Sequence, residues 1–141
     1  MIHTMMKLFG PAIVAVLLTV SCADGSKKND WSENRQRMEA QAQELLAEAR
    51  QALERRDFET ATQKIETMRH TCNLALQARQ EGILLMDSVN IQETVAEMLR
   101  IDSLLKANAE DSLILAPRLE ECGDKLKFYR RKLEHDRAPR R

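Results

Sequence analysis

Cysteines, histidines, three Asp-Ser pairs and a cationic C-terminal run are the residues of this 141-residue chain whose types could do chemistry. His70 and Cys72 stand two apart, and His135 stands next to Asp136. A structural zinc site needs four converging ligands, and no further His or Cys lies near either pair in sequence, so no metal centre is expected. The chain carries no Gly-rich phosphate loop and no Gly-x-Ser-x-Gly. A glycosidase-type carboxylate pair is compatible with so many Asp and Glu residues, yet a narrow helical bundle offers little cleft for a sugar. The reading is therefore a protein without catalytic, metal-binding or cofactor-binding residues, and not an enzyme. Asp87-Ser88, Asp102-Ser103 and Asp111-Ser112 are spaced by 15 and 9, which is no repeat. Asp111-Ser112 falls where a helix cap is needed, and the other two pairs are expected at solvated helix positions.

The C-terminal segment 125–141 has eight Lys or Arg against two acids, whereas residues 30–124 have 11 basic against 19 acidic residues. The neutral total thus hides an acidic body with a basic end. Its cations have two readings. They complement a helix C-terminus, or Lys125, Lys127, Arg130, Arg131 and Lys132 contact an anionic lipid or glycan surface.

The elements that would position these residues are helices. Only 4 Gly and 3 Pro leave little turn material, aromatics are 4%, and Ala, Leu, Glu, Gln and Arg dominate. The length is that of one domain. Met38, Ala42, Leu45, Ala49 and Ala52 step by four and three, with Trp31 seven before Met38. Asp30 and Glu33 form a capping-box pattern ahead of them. Phe58, Ala61, Ile65, Met68 and Cys72 repeat the spacing in a second helix of about 58–71, capped by Asp57. A connection so short makes the two an antiparallel hairpin. Asn73 is placed to cap a third stretch reaching about Lys106. Its apolar stripe is Leu84, Ile91, Met98 and Leu105 with Val95 and Ile101 between them; Asp87, Ser88 and Asp102 fall near it, and a bend is foreseen around Gly82 or Asn90. After a polar loop at 108–111, Pro117 belongs in the first turn of a last helix. There Leu115, Leu119, Cys122, Leu126, Tyr129 and Leu133 form the cleanest heptad of the chain, which wants the third stretch as its antiparallel partner.

The N-terminus reads as an address. Lys7 precedes 13 mostly apolar residues, Leu8 to Val20, a run shorter than the about 20 that span a bilayer and of the length of a secretory core. Leu18-Thr19-Val20-Ser21-Cys22 ends it and resembles a bacterial lipobox, although Thr19 stands where Leu is usual. The resemblance implies cleavage after Ser21 and a diacylglycerol on Cys22, hence a membrane anchor in the bacterial cell envelope. An ordinary signal peptide, with Cys22 left as a thiol, is the alternative. Residues 22–29 read as a flexible tether. Secretion removes nucleic acid from the expected partners. A Cys72–Cys122 bridge is allowed in that compartment. If the long hairpin turns near residue 109, however, the two lie ~36 Å apart along it, against the ~7 Å a disulfide tolerates.

Residues 46–68 resemble one tetratricopeptide (TPR) hairpin. Ala49 fits the small residue of its first helix, Asp57-Phe58 its acidic–aromatic turn and Ala61 the Ala of its second helix. Arg56 stands where the pattern has Gly, and Asn73 where it has Pro. More broadly, Met68-Arg69-His70-Thr71, the run from Ala78 to Ser88 and the run from Asp124 to Asp136 resemble small all-helical lipoproteins of Bacteroidetes, a group that brings no established activity. The expected architecture is all-α: a signal peptide (1–21), the tether, then a single helical domain (30–137) and a frayed tail (138–141). Within the domain, a TPR-like hairpin (30–72) precedes a long antiparallel coiled-coil-like hairpin (73–137). The expected function is that of a lipid-anchored, non-catalytic interaction or structural module. It would meet an envelope protein or a second copy of itself. The alternative is a small envelope ligand-binding protein or enzyme with its site between the hairpins.

Overall fold

The computed structural model describes residues 26–107 and 112–139, with side chains from residue 32 onward. Four helices occupy them: α1 (Ser26–Glu54), α2 (Phe58–Thr71), α3 (Leu76–Ala107) and α4 (Ser112–Arg137). The protein is all-α over these residues, as its composition and periodicity predict. The signal peptide, Cys22, the side chains of Asp30 and Trp31, the loop 108–111 with the Asp111 cap, and residues 140–141 lie outside the described residues. α1 already begins at Ser26, inside the segment expected as a tether and ahead of the expected Asp30 cap. Lys27, Lys28 and Asn29 include no Gly or Pro that would stop a helix.

The α1–α2 turn is built from three residues. The Arg56 N–H donates to the Leu53 carbonyl at 3.0 Å and the Asp57 N–H to the Ala52 carbonyl at 2.9 Å, the paired bonds of a Schellman motif. This places Arg56 at φ 60°, in the left-handed region that Gly enters most readily. Asp57 then caps α2, its carboxylate accepting from the Thr60 N–H at 3.1 Å, with Glu59 in the first turn.

The apolar stripes of α1 and α2 face each other. Ala42, Leu46, Ala49 and Ala52 close on Ala61, Ile65 and Met68, and Ala75 of the α2–α3 turn with Ala78 and Val89 of α3 join the same core. So many alanines let the helix axes approach closely. Gly82 extends this principle to α3, because a Cβ there would collide with Met68 Cε and touch Leu46. α3 runs unbroken through Gly82 and Asn90. The glycine serves close approach.

Asn73 does not cap α3, which starts three residues later. The Ala75 N–H bonds the Cys72 carbonyl at 3.2 Å, so a turn separates α2 from α3. The free N-terminal amides of α3 are met from α1: Glu39 Oε1 accepts from the Ala78 N–H at 2.6 Å. Reciprocally, Arg79 of α3 donates to the Arg69 carbonyl of α2 at 2.7 Å, serving a C-terminal carbonyl that the helix leaves free.

α4 returns antiparallel along α3, since Asp87 meets Lys132 near one end and Glu97 meets Arg118 nearer the other. Along its backbone α4 neighbours α3 alone, while α1, α2 and α3 all touch one another. The expected α4 stripe does face inward, with Leu115 and Cys122 buried and Leu119, Leu126, Tyr129 and Leu133 half-buried. On α3 the line facing α4 most deeply is Asp87, Thr94 and Ile101, seven apart; of the expected stripe Ile101 is buried, while Leu84, Ile91, Val95, Met98 and Leu105 are half-buried. α4 begins at Ser112, so Pro117 lies inside the helix and not in its first turn. Its missing N–H leaves the Leu113 carbonyl without a helical donor, on a turn whose Leu113 side chain is exposed to solvent. The second core is small: Ile101, Leu115 and Cys122, supported by Met98, Leu105 and Leu119. Cys72 belongs to the first core and Cys122 to the second, and both are free thiols.

Candidate functional site

One flank of the α3–α4 hairpin carries a groove of about 470 Å³ between the hairpin and the start of α2. Phe58 closes it from α2. Asn90, Glu93, Thr94, Glu97 and Arg100 line it from α3, and Cys122, Lys125 and Tyr129 from α4. The placement follows from the turn chemistry above. The Schellman and Asp57 caps fix the first residue of α2, so the half-buried Phe58 faces Tyr129 across the flank.

Several polar groups of this flank are already engaged, whereas the exposed Glu93 has no ion-pair partner among the described residues. Arg100 grips Glu97 with two hydrogen bonds of 2.8 Å, and Arg118 adds a third at 3.1 Å across the helix pair. The Arg100 hydrogen bond is the main reason the Glu97 carboxyl titrates below its usual range, and Glu97 in turn raises the Arg100 guanidinium. Lys125 pairs with Glu121 at 2.7 Å, which raises the lysine and lowers the glutamate. The Thr94 hydroxyl donates to the Asn90 carbonyl at 2.7 Å. A ligand here would meet two aromatic faces, a buried thiol edge and exchangeable ion pairs.

The flank continues past the groove to the tip of the hairpin. Leu104 lies seven residues beyond Glu97 on α3, and Ile114 lies four before Arg118 on α4. Helical spacing puts each on the face of its ion-pair partner, so the Glu97–Arg118 contact carries Leu104 and Ile114 onto the same side. Leu104, Ile114 (68% exposed) and Leu113 (87% exposed) present aliphatic side chains to solvent near this end. From Asn90 to Leu104 the flank is ~21 Å long at the helical rise.

The five cations foreseen as surface contacts behave differently from one another. Lys125 is tied to Glu121, and Lys127 to Asp124 at 2.9 Å. Arg130 and Arg131 are exposed and have no carboxylate partner among the described residues, although Arg131 Nε reaches the Lys127 carbonyl at 3.4 Å. Lys132 turns inward. Its ammonium sits 2.6 Å from Asp87 Oδ1 and 2.7 Å from Asp136 Oδ2. Asp136, which also meets His135 Nδ1 at 3.1 Å, is pulled down to about 2, chiefly by its Lys132 hydrogen bond and then by His135. Lys132 is raised by the same partners, Asp136 first.

Asp87 is the residue that the sequence reading misplaced. It is not solvated but 1% exposed on the α3–α4 seam, and its Oδ2 has no hydrogen-bond partner among the described residues. A buried carboxylate is tolerated only with a counter-charge, and this requirement draws Lys132 in. The available signal was Asp87 standing one heptad before Thr94 and two before Ile101.

Among the described residues no three His, Cys, Asp or Glu side chains gather as a metal site. His70 is exposed in the last turn of α2, whereas Cys72 is buried, so the two diverge. No described helix is long and apolar enough to cross a membrane. No family model, curated protein or solved structure matches the chain.

Proposed function

We propose that the protein is a lipid-anchored, non-catalytic interaction module of the bacterial cell envelope, and that it receives a partner helix along the flank running from Phe58 to Leu104 and Ile114. One observation carries this reading. One side of the hairpin goes from the aromatic groove to the exposed Leu104 and Ile114, over a length that suits three to four helical turns. The thin distal core of Ile101, Leu115 and Cys122 supports it, because two helices alone bury little and a third against the flank would complete a bundle. In this reading α1–α2 is a TPR-like hairpin: Ala49, Asp57, Phe58 and Ala61 hold the pattern's positions, and Arg56 adopts the conformation for which the pattern uses Gly. α3–α4 is the coiled-coil-like hairpin that presents the flank. Cys22 supplies the anchor and Ser21–Cys22 the cleavage site, a proposal resting on the lipobox resemblance alone.

The test is genetic and local. Ile114→Glu with Leu104→Glu should abolish partner association in cells while leaving helix content unchanged by circular dichroism. Retained association would remove the reading. A second reading, a small-ligand binder, is favoured by the groove lying between the hairpins. It predicts that Tyr129→Ala weakens binding more than substitutions at the tip do.

A further inference from the structure

Gly123 stands in the middle of α4, where a glycine weakens a helix, and a Cβ built on it would meet nothing within 4 Å. The fold thus gives it none of the reason it gives Gly82, whose Cβ would strike Met68. Helical spacing gathers a face around Gly123: Leu119 and Glu120 one turn before it, Leu126 and Lys127 one turn after. The two leucines are half-buried at the edge of the seam, and Glu120 and Lys127 are exposed outside them. Among the described residues α4 neighbours α3 alone along its backbone, which leaves this face uncovered. It lies on the side of the hairpin away from the groove, because Gly123 and the groove-lining Lys125 point about 200° apart around the helix. Arg137, two heptads after Gly123, shares a small cleft with Leu84 and Ser88 of α3. The stripe that starts at Leu84 continues through Ile91 and Val95 to Leu99, which is 55% exposed, so an apolar shoulder of α3 borders the Gly123 face.

The charges of the face specify what it meets. Glu120, three residues before the glycine, has no ion-pair partner among the described residues. Lys127, four residues after it, bonds Asp124 at 2.9 Å between side chains that are 69% and 70% exposed, a contact that solvent or another carboxylate exchanges readily. An acid before and a base after the same glycine form a self-complementary pattern. A second copy crossing antiparallel at Gly123 sets Glu120 of each chain over Lys127 of the other, and Leu119 of each over Leu126 of the other. A parallel crossing would set acid on acid and lysine on lysine, which is repulsive. We propose that two copies of this chain associate through this face of α4, about a two-fold axis passing between their Gly123 residues. The absent side chains let the two helices approach closely there, with Val95 and Leu99 beside the crossing. The proposal depends neither on the Cys22 anchor nor on the partner flank, which occupies the other side of the hairpin.

The test is sedimentation equilibrium of the full chain in a density-matched neutral detergent, over a wide range of concentration. The proposal expects a reversible dimer. Gly123→Leu should weaken association at least tenfold while helix content by circular dichroism is kept, since leucine is the better helix former. Glu120→Lys should weaken it as well, by setting lysine on lysine, and adding Lys127→Glu to the same chain should restore it. A monomer at every concentration would overturn the proposal. So would a dimer that G123L leaves intact, or a Glu120→Lys defect that Lys127→Glu deepens rather than repairs.

Discussion

Asp87, Lys132 and Asp136 form the group in which single side chains matter most. Lys132→Met removes the counter-charge of a buried carboxylate and should cost about 2–3 kcal/mol, below the full range for buried pairs because the Lys132 side chain is 40% exposed. Adding Asp87→Leu to that variant should recover much of the loss, and chemical denaturation of the four members of the cycle checks it. Acid reports on the same group. The folded Asp136 titrates at about 2 against an ordinary 3.8, so its contribution is present at neutral pH and is lost as pH falls from about 4 through 2. Glu97, Glu121 and Asp57 are shifted in the same direction. Unfolding midpoints should therefore drop across that window, and less steeply in Asp136→Asn. At the α1–α2 turn, Arg56→Gly removes the penalty of a left-handed non-glycine residue and should raise stability by about 1 kcal/mol in thermal unfolding.

At the level of elements, the helices were legible where local chemistry decides them. Asp57 announces α2 through its cap and Glu59, and the alternation of three and four from Leu115 to Leu133 names the inner side of α4. What escaped depends on a neighbour distant in sequence. The cap of α3 is Glu39, 39 residues before the amide that it serves, so the nearby Asn73 was the better-looking candidate. The α3 seam line was legible at Ile101 but not at its charged start, because Asp87 counts as interior only once Lys132 is known to reach it. Of the candidate site, its cations were visible in the sequence, but which of them remain free was not. That depends on Glu121, Asp124 and Asp87 meeting some and leaving others. Two substitutions test these contacts. Glu39→Ala should cost about 1 kcal/mol, as the loss of a helix cap does, and Asn73→Ala almost nothing. Gly82→Leu should destabilise by about 2–3 kcal/mol, because its side chain would enter the space of Met68 and Leu46.

Seen whole, the molecule is a well-filled three-helix corner from which one helical hairpin extends with a sparse core. The alanine-rich packing of α1, α2 and the first half of α3 supplies the stability. The distal hairpin keeps Leu104, Leu113 and Ile114 in water. Exposed aliphatic side chains at the end of a helix pair cost solubility, which makes them more consistent with a covered surface than with a free one. The division of labour predicts that core substitutions such as Ile65→Ala act on stability, by about 2–5 kcal/mol, while tip substitutions act on association and spare the fold. Site-specific photocrosslinking in living cells tests the central claim most directly, with the crosslinker placed in turn at Leu104, Ile114 and Tyr129 on the flank and at Glu66 on α2. One shared adduct from the three flank positions and none from Glu66 is the expected result. An adduct from Glu66 as strong as those from the flank, or no adduct from any flank position, would contradict it.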